Sequence, residues 1–377
     1  MNSNDEVYRD MKRSSFIKHC SALVLGLATM GSLANADDNA ALYTMDNAAS
    51  GNHVLAFGRE ENGRLLGQGS FATGGAGTGA GLSSQGSVVL SRDGRWLFVC
   101  NAGSSDVSVM SITDNGLLLS DKVPSGGDMP VSLTVRHDLL YVLNAGGGAG
   151  DKDNLTAFYF ANGKLQAVPG STRALSAGNT GPAQVSFSSD GDTLIVTERL
   201  TNLIDTFVVG DEGLAGTHKT FQSAGAVPFG FDVGRGNRLF VSEAGPGSAS
   251  SYDISQAGDL AVISAAASTE QKAPCWLLSS HDGRFIYTGN AGSGSISGFR
   301  VASDGSLQLL DADGRTAVTG DGSHPVDLAQ SHDGRFLYNL ANGNGTLNAF
   351  RVMPNGSLQP VMVITGIPGS AAGLAGR

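Results

Sequence analysis

Along most of this chain hydrophobic and polar residues alternate in short runs, the period-two pattern of strands with one face buried. One phrase recurs: a proline, an apolar strand, an Asp-Gly turn, a second apolar strand ending in a polar residue, then glycine, serine and a third strand. The best copies run from Pro274 to Leu310 and from Pro325 to Val361. They match almost residue for residue, with His281-Asp282-Gly283-Arg284-Phe285-Ile286-Tyr287 in one and His332-Asp333-Gly334-Arg335-Phe336-Leu337-Tyr338 in the other. Weaker copies carry Asp93-Gly94-Arg95-Trp96-Leu97-Phe98, Asp138-Leu139-Leu140-Tyr141, Asp190-Gly191-Asp192-Thr193-Leu194-Ile195 and Gly236-Asn237-Arg238-Leu239-Phe240. Asp-Gly between alternating apolar runs is a hairpin signal, because glycine accepts the positive φ such turns demand. Asn115-Gly116, Asn162-Gly163, Asp304-Gly305 and Asn355-Gly356 mark the turn from third to fourth strand in the same way. Helix signals are nearly absent.

The repeat prolines Pro130, Pro182, Pro228, Pro274 and Pro325 stand 52, 46, 46 and 51 residues apart, a period that belongs to propellers and not to helical arrays. The pattern predicts an all-β protein: a seven-bladed β-propeller of four-stranded antiparallel blades, one domain over residues 37–377. The first copy opens abruptly at Ala41-Leu42-Tyr43-Thr44 with no strand before it. At the other end, Ile367-Pro368-Gly369-Ser370-Ala371-Ala372-Gly373-Leu374 resembles a repeat opening with nothing after it. The C-terminal strand is therefore expected to complete the first blade and leave no bare sheet edge at the junction.

Ahead of the repeats, Lys12, Arg13 and Lys18 precede an apolar run from Ala22 to Met30, and Ala34-Asn35-Ala36 supplies the small residues a signal peptidase accepts. Residues 1–36 read as an N-terminal extension and secretory signal, with Met11 as a candidate initiator and cleavage near Ala36. The mature protein is then periplasmic or secreted. No apolar stretch approaches the roughly 20 residues a spanning helix requires, so membrane insertion is not expected. The net charge of −10 becomes −11 once four basic and three acidic residues leave with the signal. Nucleic acid is a poor partner for such a chain, since its binding rests on clustered Lys and Arg. After cleavage only Cys100 and Cys275 remain; they fall in repeats that are not ring neighbours, which argues against a disulfide.

Strand direction alternates within a blade, so the Asp-Gly turns share one face while the entries to first strands and the ends of second strands share the other. The turn aspartates Asp93, Asp190, Asp282 and Asp333 recur because turns need them. The opposite face collects Asp46, Asn101, Asn144, Glu198, Glu243 and Asn290 from second-strand ends, with Asp128, Lys272 and His324 from the segments entering first strands. These are expected around the channel mouth, the default place for a ligand. Glu198-Arg199 and Glu243 depart from the asparagine of sister repeats, either to add a function or to form a salt-bridged rim. His324 is a candidate acid or base, or a solvated capping residue.

Stronger motifs are missing. There is no H-E-x-x-H, C-x-x-C, G-x-S-x-G or G-x-x-x-x-G-K, and the glycine-rich stretches 74–81 and 146–150 lack a following helix. Asp151-Lys152-Asp153-Asn154 looks like half a calcium loop, but no glutamate arrives at the required position. No metal or other cofactor is expected.

The units Leu97-Phe98-Val99-Cys100-Asn101-Ala102-Gly103-Ser104, Val196-Thr197-Glu198, Gly289-Asn290-Ala291-Gly292-Ser293-Gly294 and Gly356-Ser357-Leu358-Gln359-Pro360 resemble the lactonase family of seven-bladed propellers. That family includes 6-phosphogluconolactonases and carboxymuconate-cyclising enzymes. The resemblance implies a lactone hydrolase or cycloisomerase acting on a small anionic substrate, with Glu198 as base, Arg199 and Lys272 holding the anion, and His324 as acid. Catalytic branches of the family carry an Arg-x-His-like pair after the Gly-Pro of the strand preceding the glutamate; here Gly181-Pro182 is followed by Ala183 and Gln184. Glu243, Lys272, Asn101, Asn144, Asn290 and Asp128 are expected to bind the substrate. The second reading is a non-catalytic exported propeller, binding a small ligand or a protein partner at the same mouth; in either case a monomer is expected.

Overall fold

A computed structural model describes residues 41–146, 153–210 and 212–377, all within one compact unit, Asn35–Arg377. The expected signal segment and the Asp151-Lys152 loop tip lie outside the described residues.

Seven antiparallel sheets form the seven blades. Blade 4 shows the plan: Pro182–Phe187 lies innermost, followed outward by Thr193–Glu198, Leu203–Val208 and Lys219–Gln222. Each first strand that opens on a repeat proline shows a register shift just after it. Proline has no N–H to give the ladder, so it sits where pairing begins and the extra residue bulges.

The ring closes as the abrupt first repeat suggests. Ala372–Gly376 is the innermost strand of blade 1 and pairs with Leu42–Met45, matching Leu42 with Gly376 and Tyr43 with Ala375. One side of this strand joins the apolar cluster of blade 2, where Ala372 and Ala375 meet Val88, Leu97 and Val99. The other joins blade 7, where Ala371 and Leu374 meet Phe336, Tyr338 and Leu340. Residues from both ends of the chain thus share two cores.

The Asp-Gly turns are built as the repeat implies. Asp282 accepts from Ser280 Oγ at 2.7 Å and from Arg284 Nε at 2.6 Å. Asp333 repeats this with Ser331 at 2.6 Å and Arg335 at 2.8 Å, and Asp93 with Ser91 and Arg95, both at 2.6 Å. These carboxylates are committed to the turns.

First strands have one edge with no β-partner, and its buried N–H and C=O groups need partners. In blades 3 and 4 the residue two after the proline supplies them to the next blade. Ser132 Oγ accepts from Val185 N at 3.1 Å, and Gln184 Oε1 accepts from Phe231 N at 2.7 Å while its Nε2 donates to Phe231 O at 2.9 Å. Blade 5 breaks the chain of contacts because its residue is Gly230. There the loop entering blade 2 takes over: Gln85 Oε1 accepts from Leu277 N at 3.0 Å, and Gln85 Nε2 donates to Leu277 O at 2.7 Å. A Cβ on Gly230 would stand 2.1 Å from Gln85 Oε1, so the missing side chain is what admits Gln85. Trp276 Nε1 donates to Ser84 O at 3.0 Å, Ser84 Oγ to Val131 O at 2.8 Å and Gln85 N to Ala183 O at 3.0 Å. Residues 84–85 therefore tie blades 3, 4 and 6 together across the channel.

Candidate functional site

On the face where second strands end, blades 1, 2, 3 and 6 join the polar residue after or at the end of the second strand to the third strand. Asn101 Nδ2 donates to Asp106 Oδ1 at 2.6 Å and Ser108 Oγ at 2.8 Å, and Asn290 Nδ2 donates to Ser295 at 3.0 Å and Ser297 at 2.8 Å. Asn144 reaches Asn154 Oδ1 at 3.0 Å. Asp46 accepts from His53 N at 2.9 Å and contacts His53 Nδ1 at 3.1 Å.

Glu243 follows the same rule with inverted polarity. The serines that accept from Asn290 in blade 6 have counterparts here that donate: the carboxylate receives Ser248 Oγ and Ser250 Oγ at 2.6 Å each, Gly225 N at 2.7 Å and Ser223 Oγ at 3.2 Å. It is fully buried, as are Asn101, Asn144, Glu198 and Asn290.

Glu198 is different in kind. It accepts Ser176 N at 3.0 Å, Ser176 Oγ at 2.5 Å and Thr201 Oγ1 at 2.6 Å. The residue seven further on, serine in three sister blades, is Asp205, and its carboxyl meets that of Glu198. Asp205 is fully buried; Thr220 Oγ1 donates to its Oδ1 at 2.8 Å, while Oδ2 has no donor. Burial, then repulsion by Glu198, pushes the Asp205 carboxyl up to about 7. Asp153, fully buried nearby and held by Thr180 N and Oγ1 at 2.6 and 2.7 Å, is also raised, by burial first. The sequence offered Asp153 only as part of half a calcium loop and passed over Asp205. Asp205 was within reach of it, because the second-strand residue and the residue seven later form a repeated pair, and only blade 4 fills both places with acids.

Asp128, Lys272 and His324 are exposed on the segments entering blades 3, 6 and 7. Arg199 is half-buried: its guanidinium lies 5.1 Å from the Phe229 ring centroid, and its Nε donates to Gly181 O at 3.0 Å. Phe229 packs on Trp276 with centroids 4.9 Å apart, and Ala183 and Cys275 complete this apolar cluster. Burial lowers the Arg199 pKa. Burial also pushes the Cys275 thiol up to about 12 against the pull of Arg199. Among the described residues the Nη groups of Arg199 have no hydrogen-bond or ion-pair partner. Ala183 and Gln184, which stand after Gly181-Pro182, are taken up by packing and by the Phe231 contact.

The structure thus separates the expected site residues into two groups. Asn101, Asn144, Asn290, Glu198 and Glu243 are enclosed within blades, while Arg199, Lys272, His324 and Asp128 reach the surface. Cys100 and Cys275 are free and buried. Among the described residues no three His, Cys, Asp or Glu side chains are placed to hold a metal ion, and no helix is long and apolar enough to cross a membrane.

Comparison with known proteins agrees with this architecture. The model of the lactonase family, a seven-bladed β-propeller, matches residues 234–370. A periplasmic gluconolactonase from Pseudomonas aeruginosa superposes with a TM-score of 0.71 at 17% identity, covering 88% of this chain and 98% of that one. A protein assigned as a 6-phosphogluconolactonase from Bacteroides fragilis gives 0.70 at 17%, covering 90% and 98%. A virginiamycin B lyase from Staphylococcus aureus gives 0.54 at 13%, covering 76% and 86%. At such identities the likeness carries the fold alone. No curated protein sequence matches the chain.

Proposed function

Taking this chain as a lactonase-type seven-bladed propeller, we propose that it hydrolyses or forms a lactone of a small organic anion, sugar-acid or muconate-like, at the face where its second strands end. The observation that carries this is Arg199, a guanidinium lying on Phe229 with its Nη groups uncommitted. An arginine in such surroundings favours a carboxylate or phosphate, which it grips with two parallel hydrogen bonds. Lys272 and His324 add exposed positive or proton-donating groups on the same face, and Asp128 is the one exposed carboxylate among the four.

Lactone hydrolysis requires a water to lose a proton as it adds to the ring carbonyl, and the ring oxygen to gain one as the C–O bond breaks. Glu198 is enclosed, so in this reading it acts through a hydroxyl. Ser176 and Thr201, both partly exposed, donate to the same Glu198 oxygen and would pass the proton inward. The second reading, anion binding without turnover, is favoured by the enclosure of Glu198 and by Ala183 and Gln184 after Pro182. In this reading the segment 1–36 directs export to the periplasm or beyond the cell; N-terminal sequencing of exported protein should find Asp37 first.

The experiment is a pH-indicator assay on several lactones, paired with calorimetry of the ring-opened acids, for the parent protein and for Arg199→Met and Glu198→Gln. The lactonase reading expects turnover that falls at least about tenfold in both variants. Acid binding lost in Arg199→Met, with no turnover anywhere, leaves the binding module. Binding that ignores Arg199 removes both readings.

A further inference from the structure

The opposite face, that of the Asp-Gly turns, holds a cavity of about 600 Å³ where blades 1, 2 and 7 meet. Its ionisable lining side chains are Arg59, Arg92, Arg377, His332, Asp93 and Asp333. The two carboxylates are already occupied: Asp93 by Arg95 at 2.6 Å, and Asp333 by Arg335 at 2.8 Å and Arg59 at 3.3 Å. Although burial opposes it, hydrogen bonds from Ser331 and Arg335 hold Asp333 well below the usual carboxylate range, so it stays ionised and spent. Among the described residues Arg92 and Arg377 have no ion-pair partner; Arg377 reaches only the Tyr43 hydroxyl. Arg59, wedged over the Phe336 ring at 5.6 Å, keeps a buried Nε with no acceptor.

We infer that this cavity is a second, separate binding site for a small oxyanion-bearing molecule, a phosphate or polycarboxylate, held by Arg92 and Arg377 beside Arg59. An oxyanion is the partner that the guanidinium groups of Arg92 and Arg377, which have no ion-pair partner among the described residues, fit best. The volume lies in the range of small-molecule sites. Placement gives the site a consequence: Arg377 follows the ring-closing strand Ala372–Gly376, and its N–H donates to Ala41 O at 2.7 Å. A ligand joining Arg377 to the blade 2 turn at Arg92 would therefore bind the closed ring and not the opened one, raising the melting temperature with ligand concentration.

The test uses the full chain, inorganic phosphate and citrate, with calorimetry and thermal melts at ionic strength matched by chloride. Saturable binding of either probe, a rise in melting temperature beyond the chloride control, and a loss of at least about tenfold in affinity in Arg92→Gln/Arg377→Gln are expected. Phosphate and citrate arms tell the two ligand chemistries apart. Both the titrations and the melts are run in an Arg199→Met background, which removes anion binding at the other face, so that only this site is read. No saturable binding of either probe, or binding that the double variant keeps, overturns the inference; circular dichroism of the variant confirms that it is folded.

Discussion

Gln85 closes on Leu277 across the propeller axis with two hydrogen bonds, Nε2 to O at 2.7 Å and N to Oε1 at 3.0 Å, in the manner of one extra strand residue. The contact exists because Gly230 has no side chain to fill the same place. Gln85→Ala should cost about 2 kcal/mol or more by stranding a buried N–H and C=O. Gly230→Ala should cost at least as much, since its Cβ would also stand 2.8 Å from Cys275 O and 3.0 Å from Trp276 Cα. The two losses should not add, because they act on one contact. Urea melts of the three variants measure this, and simple additivity would show that the residues are not coupled.

The propeller was legible because its turn chemistry is local. Asp93, Asp282 and Asp333 use the same serine, aspartate and arginine at the same offsets, and a repeat of that kind survives in the sequence. The position of Glu198 and Glu243 was legible too, but not their direction. A strand residue at a sheet's end can turn toward the axis or toward the third strand, and what decides is the partner seven residues on, Asp205 or Ser250. Arg199 as a partly desolvated cation depended on Phe229 and Trp276 from other blades. The arginine cavity depended on three blades at once, with Arg59, Arg92 and Arg377 far apart in sequence.

Removing residues 366–377 should destabilise the protein out of proportion to their number. Ile367, Ala371, Ala372, Leu374 and Ala375 are all buried, and their loss would bare the edge of Leu42–Met45 as well as two apolar clusters. We expect a loss of at least about 3 kcal/mol and edge-to-edge association, read by melting temperature and light scattering. A truncated monomer melting with the parent would mean that the strand does not close the ring.

Both described cysteines should be silent toward alkylation in the native state. Burial raises the Cys100 thiol well above its usual value and Cys275 to about 12, and the thiolate is the reactive form. Iodoacetamide should label neither until urea unfolds the chain, and reductant should leave the melting temperature unchanged because neither forms a disulfide. Rapid labelling of Cys275 in native protein would place the Phe229–Trp276 cluster in the open.

The Glu198–Asp205 pair should make stability depend on pH in a direction opposite to that of a salt-bridged carboxylate. Asp205 ionises near 3.8 when free and near 7 in the fold, so between those values the native state holds a proton that the unfolded chain releases. Stability is then fully present below about pH 4 and falls as pH rises through 7, by an amount on the order of 2 kcal/mol between pH 5 and pH 8. Asp205→Asn replaces the shared proton with a permanent amide donor to Glu198, just as Asn101 serves Asp106 in blade 2. It should flatten this part of the profile and raise the melting temperature at pH 8. Parallel profiles for parent and Asp205→Asn would show that no proton is held between the two side chains, and the role assigned to Glu198 would then need a different partner.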